Sequence, residues 1–182
     1  MKIEITKLDK DRLDCMRFVI RAKAKESTRY ALAFVKIEPG RFVATDGKRL
    51  HIADIAHSYD PGMYEVISNR VTGVVLLTAD DPGNFPKYED ILPDHKAYFE
   101  CLGNKIPASA AIAFGLAKKD IMVNLDYLSA AADGEGWKVY FGEPDRPVLL
   151  VGKNKNVVLV PVNAGDVTYK TEGVELASSA II

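Results

Sequence analysis

Arg41-Phe42-Val43-Ala44-Thr45-Asp46-Gly47-Lys48-Arg49-Leu50-His51-Ile52-Ala53-Asp54-Ile55 is the stretch whose reading decides the fold. The apolar run Phe42-Val43-Ala44 leads into Thr45-Asp46-Gly47, and alternation then resumes. Leu50 and Ile52 fall on one parity, Arg49, His51 and Ala53 on the other. Asp-Gly between two strand-like runs is a hairpin signal, because glycine takes a positive φ without a Cβ clash. The stretch therefore predicts two antiparallel strands joined by a tight turn.

Working outward toward the start of the chain, residues 2–6 alternate and read as a strand. Asp9 is placed to cap a helix running to about residue 25, with Leu13, Met16, Val19, Ile20 and Ala24 on its buried face. Lys10, Arg17 and Arg21 fall in one stripe away from that face, with Asp14 among them, since steps of seven and four residues nearly complete whole turns. Residues 30–38 read as a strand ending at the Pro39-Gly40 turn. The first part of the chain is thus β-α-β-β-β.

Beyond the hairpin, residues 63–68 and 71–79 read as strands. Asp80-Asp81-Pro82-Gly83-Asn84 is a loop, and Phe85 to Pro93 suggests a short turn-helix that packs down. Residues 94–107 give no clear signal. The apolar run 108–116 reads as a buried strand. Asn124 or Asp126 caps a short helix over 125–132. Strands follow at 137–141, 147–151 and 156–162, so the second part repeats the order (β)-α-β-β-β. This is an α+β pattern: an antiparallel sheet with two helices on one face. Residues 1–165 are expected to form one domain, with an inserted or shortened central segment at about 57–116; residues 166–182 are expected to be a tail.

Composition narrows the function classes. With 24 basic and 25 acidic residues the net charge is −1, so any nucleic-acid contact must come from a local patch. The longest apolar runs are too short to cross a bilayer. Cys15 and Cys101 are isolated in sequence, which points to a reducing, cytoplasmic location and no disulfide framework. No pair among His51, His57 and His95 has metal-ligand spacing, and the sequence holds neither a nucleophile elbow nor a phosphate loop. We therefore expect no catalytic residue, no metal and no cofactor. Trp137, on an alternating strand, is expected in the core. The Lys10, Arg17, Arg21 stripe is either a solvated helix face or a set of phosphate contacts.

The wording of three segments adds a resemblance. Val43-Ala44-Thr45-Asp46-Gly47-Lys48-Arg49-Leu50 resembles the Ala-Thr-Asp-Gly-His-Arg-Leu signature of the bacterial DNA polymerase III beta sliding clamp, with Lys48 at the usual His. Asn84-Phe85-Pro86-Lys87-Tyr88-Glu89-Asp90-Ile91-Leu92-Pro93 is similar to the segment that leads from one clamp domain into the next. Asp126-Tyr127-Leu128, Val139 to Pro144, Pro147 to Leu150 and Val157 to Val162 resemble the clamp's C-terminal half-domain, with Val160 and Val162 where the family has methionines.

The resemblance implies a DNA-clamp-like fold of two β-α-β-β-β half-domains, and a non-enzymatic replication or repair accessory. It implies a groove for polymerase or repair-protein peptides at Thr45, Gly47, Lys48, Arg49, Leu50, Val158, Val160, Pro161 and Val162. It also implies duplex DNA contact through Lys10, Arg17 and Arg21. The clamp subunit has several such domains and this chain about one, so a ring would need a higher homo-oligomer. The alternative is a clamp-fold interaction or structural module, encoded by a phage or mobile element, that neither closes a ring nor binds DNA.

Overall fold

A computed structural model describes residues 1–26, 31–94, 96–101, 106–132, 134 and 136–162. The tail expected at 166–182 lies outside them. Strand β1 (Lys2–Thr6) leads to helix α1 (Lys10–Ile20), then to β2 (Val35–Glu38), β3 (Arg41–Thr45) and β4 (Arg49–Asp54). A hairpin of β5 (Gly62–Arg70) and β6 (Gly73–Thr78) follows, then a connection holding a 3₁₀ turn at Tyr88–Ile91. The second half is β7 (Ala97–Cys101), α2 (Ala108–Ala117), α3 (Leu125–Ala131), β8 (Trp137–Phe141), β9 (Val148–Val151) and β10 (Lys155–Leu159).

The ten strands of the described residues form one open sheet in the order β1-β6-β5-β2-β3-β4-β10-β9-β8-β7. Without the β5–β6 hairpin, which sits between β1 and β2, each half is a four-strand run. The halves meet through their last strands: β4 and β10 pair antiparallel, with Leu50 opposite Val158 and Arg49 opposite Leu159.

The sheet has two distinct faces. Val139, Leu150, Val157, His51 and Ala44 are neighbours in one cross-strand row. They face a core shared with Leu13, Met16, Phe18 and Val19 of α1, Ile112 and Leu116 of α2, and Leu128 of α3. The helices therefore cover one face. On the other, Val43, Leu50, Ile52 and Val158 form a smaller core with Tyr88 as its lid and Phe85 and Leu149 at its edge. Glu38 anchors that lid by accepting the Tyr88 hydroxyl at 2.5 Å and pairing with Lys36 at 2.6 Å. Burial of Glu38 opposes its charge, but Lys36 and Tyr88 outweigh this and hold its carboxyl below the usual range. Burial, followed by the same carboxylate, pushes the Tyr88 phenol up to about 12.

Several local expectations are met. Asp9 caps α1 through its carboxylate, Asn124 caps α3, and Trp137 is buried. The helix count is corrected from two to three, because residues 108–116, expected as a strand, form α2. Five alanines in ten residues favour helix, and Pro107 at its N-cap suits a helix start. The run is apolar all round, so it carries no period to separate helix from strand. Helix α1 is also shorter than expected. The second strand starts only at Val35, since residues 31–34 turn and Leu32 accepts the Ala24 amide at 2.9 Å.

Candidate functional site

The turn between β3 and β4 is held by its own side chains. The Thr45 hydroxyl donates to the Arg49 carbonyl at 2.6 Å and accepts the Gly47 amide at 3.0 Å. One Asp46 carboxylate oxygen accepts the amides of Lys48 and Arg49, both at 3.0 Å. The other accepts Arg49 Nε, also at 3.0 Å. Gly47 sits at φ +86°, where a side chain is strained. Thr45, Asp46 and Gly47 thus fix the turn, and Lys48 and Gly47 form its exposed tip.

Arg49 and Leu50 point to opposite faces. The Arg49 guanidinium lies 4.3 Å from the centroid of the Tyr127 ring on α3. Such a stack contributes about 0.5–2 kcal/mol, depending on how dry it is. Because Asp46 holds the same guanidinium, the turn is tied to the second half of the chain. Leu50 faces the other way and is buried with Val158 beneath Tyr88.

Past β10 the backbone continues alongside the turn. The Val160 amide donates to the Lys48 carbonyl at 3.0 Å, and the Val162 amide to the Met122 carbonyl at 2.8 Å. Val160 is exposed, and Pro161 and Val162 are half-buried. The structure thus brings Lys48 beside Val160, Arg49 beside Leu159 and Leu50 beside Val158. Leu50, Val158 and Thr45 are floor rather than surface. The solvent-facing surface is made by Gly47, Lys48, Val160 and the half-buried edges of Arg49, Pro161 and Val162. Sequence reasoning did not assign Tyr127, Met122 or Tyr88 to this region. Only the Asn124 cap placed α3 locally, and nothing in sequence paired it with Arg49.

The basic stripe lies on α1 and its C-cap. Lys10 is exposed at the first position. Arg17 donates to the Arg70 carbonyl at 2.5 Å and Arg21 to the Ala130 carbonyl at 3.0 Å. Both guanidiniums therefore also fasten α1 to its neighbours. Neither α2 nor α3 has a basic residue. Among the described residues no group of three or more His, Cys, Asp or Glu is arranged to hold a metal ion, and no helix is long and apolar enough to cross a membrane.

No family model and no curated protein sequence matches the chain. Solved structures do. The DNA polymerase III subunit beta from Pseudomonas aeruginosa superposes with a TM-score of 0.59 at 14% identity, over 90% of this chain and 66% of that one. The fold is that of the DNA sliding clamp. The DNA polymerase III beta subunit of Thermotoga maritima gives a TM-score of 0.60 at 12% identity, over 90% of this chain and 65% of that one. Caulobacter crescentus pol III beta gives 0.57 at 16%, over 89% and 65%. The chain spans just under two thirds of the length of these clamp-fold proteins. The open ten-strand sheet with helices on one face is thus a clamp-fold arrangement in a shorter chain.

Proposed function

We propose that this chain is a non-enzymatic, clamp-like accessory of cytoplasmic DNA replication or repair, which docks partner peptides beside the Thr45–Leu50 turn and touches duplex DNA through α1. One observation carries the reading. The turn that resembles the clamp signature and the Val158–Val162 segment, far apart in sequence, lie side by side across the β4–β10 seam. The resulting surface sets the exposed Val160 and the half-buried Pro161 and Val162 beside the exposed Lys48, which suits an extended peptide with an apolar anchor. Residues 1–165 act as one domain in this reading, with the β5–β6 hairpin as its inserted part.

The test is fluorescence anisotropy of a labelled peptide carrying a polymerase clamp-binding motif. Wild type binds it, and Arg49→Ala and Val160→Asp weaken it by about tenfold or more, as expected for residues bordering a hot spot. Equal binding by all three proteins, or none by wild type, overturns the groove. Leu50 is unsuitable for the test because its truncation would open the second core.

A second reading, a clamp-fold interaction module without a ring or DNA contact, is favoured by α2 and α3, whose faces carry no basic residue. Duplex binding at low salt separates the two. The first reading expects it, and expects Arg17→Glu with Arg21→Glu to abolish it while the far-ultraviolet circular dichroism is retained.

A further inference from the structure

A recess of about 570 Å³ opens where the segment after the 3₁₀ turn meets the turn between β8 and β9. Ile91, Leu92 and Pro147 supply its apolar lining. Ile91 is 47% and Leu92 38% exposed, although Tyr88, just before them, is buried. Both walls are held in place. Tyr88 is anchored by Glu38 on one side, and on the other the Arg146 amide donates to the Glu143 carbonyl at 3.0 Å. The charged lining is Asp90, Asp94, Glu143 and Arg146, three carboxylates against one guanidinium. Among the described residues no ion pair joins any of the three carboxylates to a cation. The flanking exposed charges balance, Glu89 and Asp145 against Lys87 and Lys96. The recess is therefore acidic, with open aliphatic side chains inside it.

Strand register puts this recess at one end of the surface beside the Thr45–Leu50 turn. Arg49 on β4 stands opposite Leu159 on β10, and Leu159 opposite Val148 on β9. One residue further out on each strand come Lys48, Val160 and Pro147, and the Val160 amide still bonds the Lys48 carbonyl at 3.0 Å. Neighbouring strands lie about 4.8 Å apart, so the Lys48 and Pro147 backbones are roughly 10 Å from each other. Pro147 in turn lines the recess. A few extended residues, at roughly 3.3 Å each, therefore reach from the exposed Val160 into it.

We propose that this recess takes the basic end of the docked peptide. An apolar residue of an extended segment packs on Ile91 and Leu92, and an adjoining Lys or Arg faces Asp90, Asp94 and Glu143. The inference rests on peptide docking beside the turn and adds the charge and direction of the peptide. Charge complementarity names the occupant: the acidic lining attracts a cationic side chain and repels an acidic one. Lys and Arg also suit the mixed lining, because their alkyl stems cover apolar surface while the charged head stays at the wet rim. At the other end of the surface Lys48 favours the opposite sign, so the peptide binds in one direction.

The experiment uses the full chain and labelled peptides carrying a polymerase clamp-binding motif, extended by two lysines or two glutamates at one end or the other. Fluorescence anisotropy should show that, at one end only, the lysine peptide binds wild type about threefold to tenfold more tightly than the glutamate peptide. The difference shrinks as salt rises, since the rim is exposed. Asp90→Asn with Glu143→Gln, both at exposed sites where far-ultraviolet circular dichroism is retained, erases the difference, and Arg146→Gln widens it. Equal affinity for lysine and glutamate at both ends, with the unextended motif still bound, overturns the acidic recess and leaves docking beside the turn standing. Binding of none of the peptides overturns both. A wild-type dimer that the lysine peptide separates, and that the double variant lacks, would assign the recess to a basic surface of a second copy and overturn the peptide.

Discussion

At the residue scale, the Thr45–Arg49 turn explains its own wording. Every bond that shapes it spans two to four residues, so the sequence alone was enough to read it. The same locality makes its mutational costs simple. A Cβ at Gly47 meets nothing within 4 Å, so Gly47→Ala carries only the conformational penalty of φ +86°. We expect a loss of about 1 kcal/mol in urea denaturation. Thr45→Val keeps the shape but removes the hydroxyl that joins the Gly47 amide to the Arg49 carbonyl, leaving that carbonyl only the Asp46 amide at 3.4 Å, for a loss of about 1 kcal/mol.

His51, two residues beyond the turn, was not legible in this way, because its partner lies on α1. Its ring stacks on Phe18 with centroids 4.5 Å apart, Nδ1 lies 2.8 Å from the Phe18 carbonyl, and Nε2 is buried without a partner. The carbonyl is an acceptor, so Nδ1 carries the proton and Nε2 is the unpaired acceptor. Burial pushes its pKa down to about 4 from an ordinary 6.5. The unfolded chain thus takes up a proton near pH 6.5 while the folded chain resists until about pH 4. Stability is complete above 6.5 and falls through that window, by up to about 1.4 kcal/mol per pH unit. Urea midpoints of wild type and His51→Phe, measured from pH 7 to pH 4.5, should diverge in slope, with wild type steeper. Parallel profiles would remove His51 as the cause.

At the element scale, what was legible depended on period. The strand at 137–141 alternates, the Asp-Gly turn marks the 41–54 hairpin, α1 has a clear buried stripe, and Asp9 and Asn124 mark their helix starts. Helix α2 has no stripe, and only packing decides it. Its Gly115 faces β7, where an added Cβ would stand 2.6 Å from Phe99 Cζ. Gly115 is therefore a close-approach glycine. Gly115→Ala gains about 1 kcal/mol of helix propensity but must displace the Phe99 ring, and we expect net destabilisation. In a Phe99→Ala background the same change should become neutral or stabilising. A double-mutant cycle of thermal midpoints reads that sign change, and the same cost in both backgrounds would show that Phe99 is not what Gly115 accommodates.

At the scale of the whole molecule, strand partners were the part the sequence could not specify by pattern. Nothing local places the β5–β6 hairpin between β1 and β2, or joins β4 to β10. The seam was anticipated only through the resemblance of its two segments to clamp motifs, while Tyr127 and Tyr88 joined the region through the fold. Among the described residues the sheet also ends in two edges without a further strand, β1 and β7. Edge strands carry free backbone donors and acceptors that another chain can pair. A single 20.0 kDa chain with an open sheet cannot surround a duplex. If the clamp-like reading extends to encircling DNA, copies must join edge to edge, β7 of one to β1 of the next. Light scattering should then give several multiples of 20.0 kDa. On β7, Tyr98 is 49% exposed beside Tyr140, with ring centroids 5.2 Å apart. Charge there disfavours edge pairing, so Tyr98→Lys should return the mass to one chain without unfolding it. Duplex binding at low salt should fall in step, while peptide binding at the β4–β10 seam is unchanged. A wild-type mass of one chain with intact peptide binding would remove the ring and keep the docking site, because the seam lies within one sheet and needs no second copy.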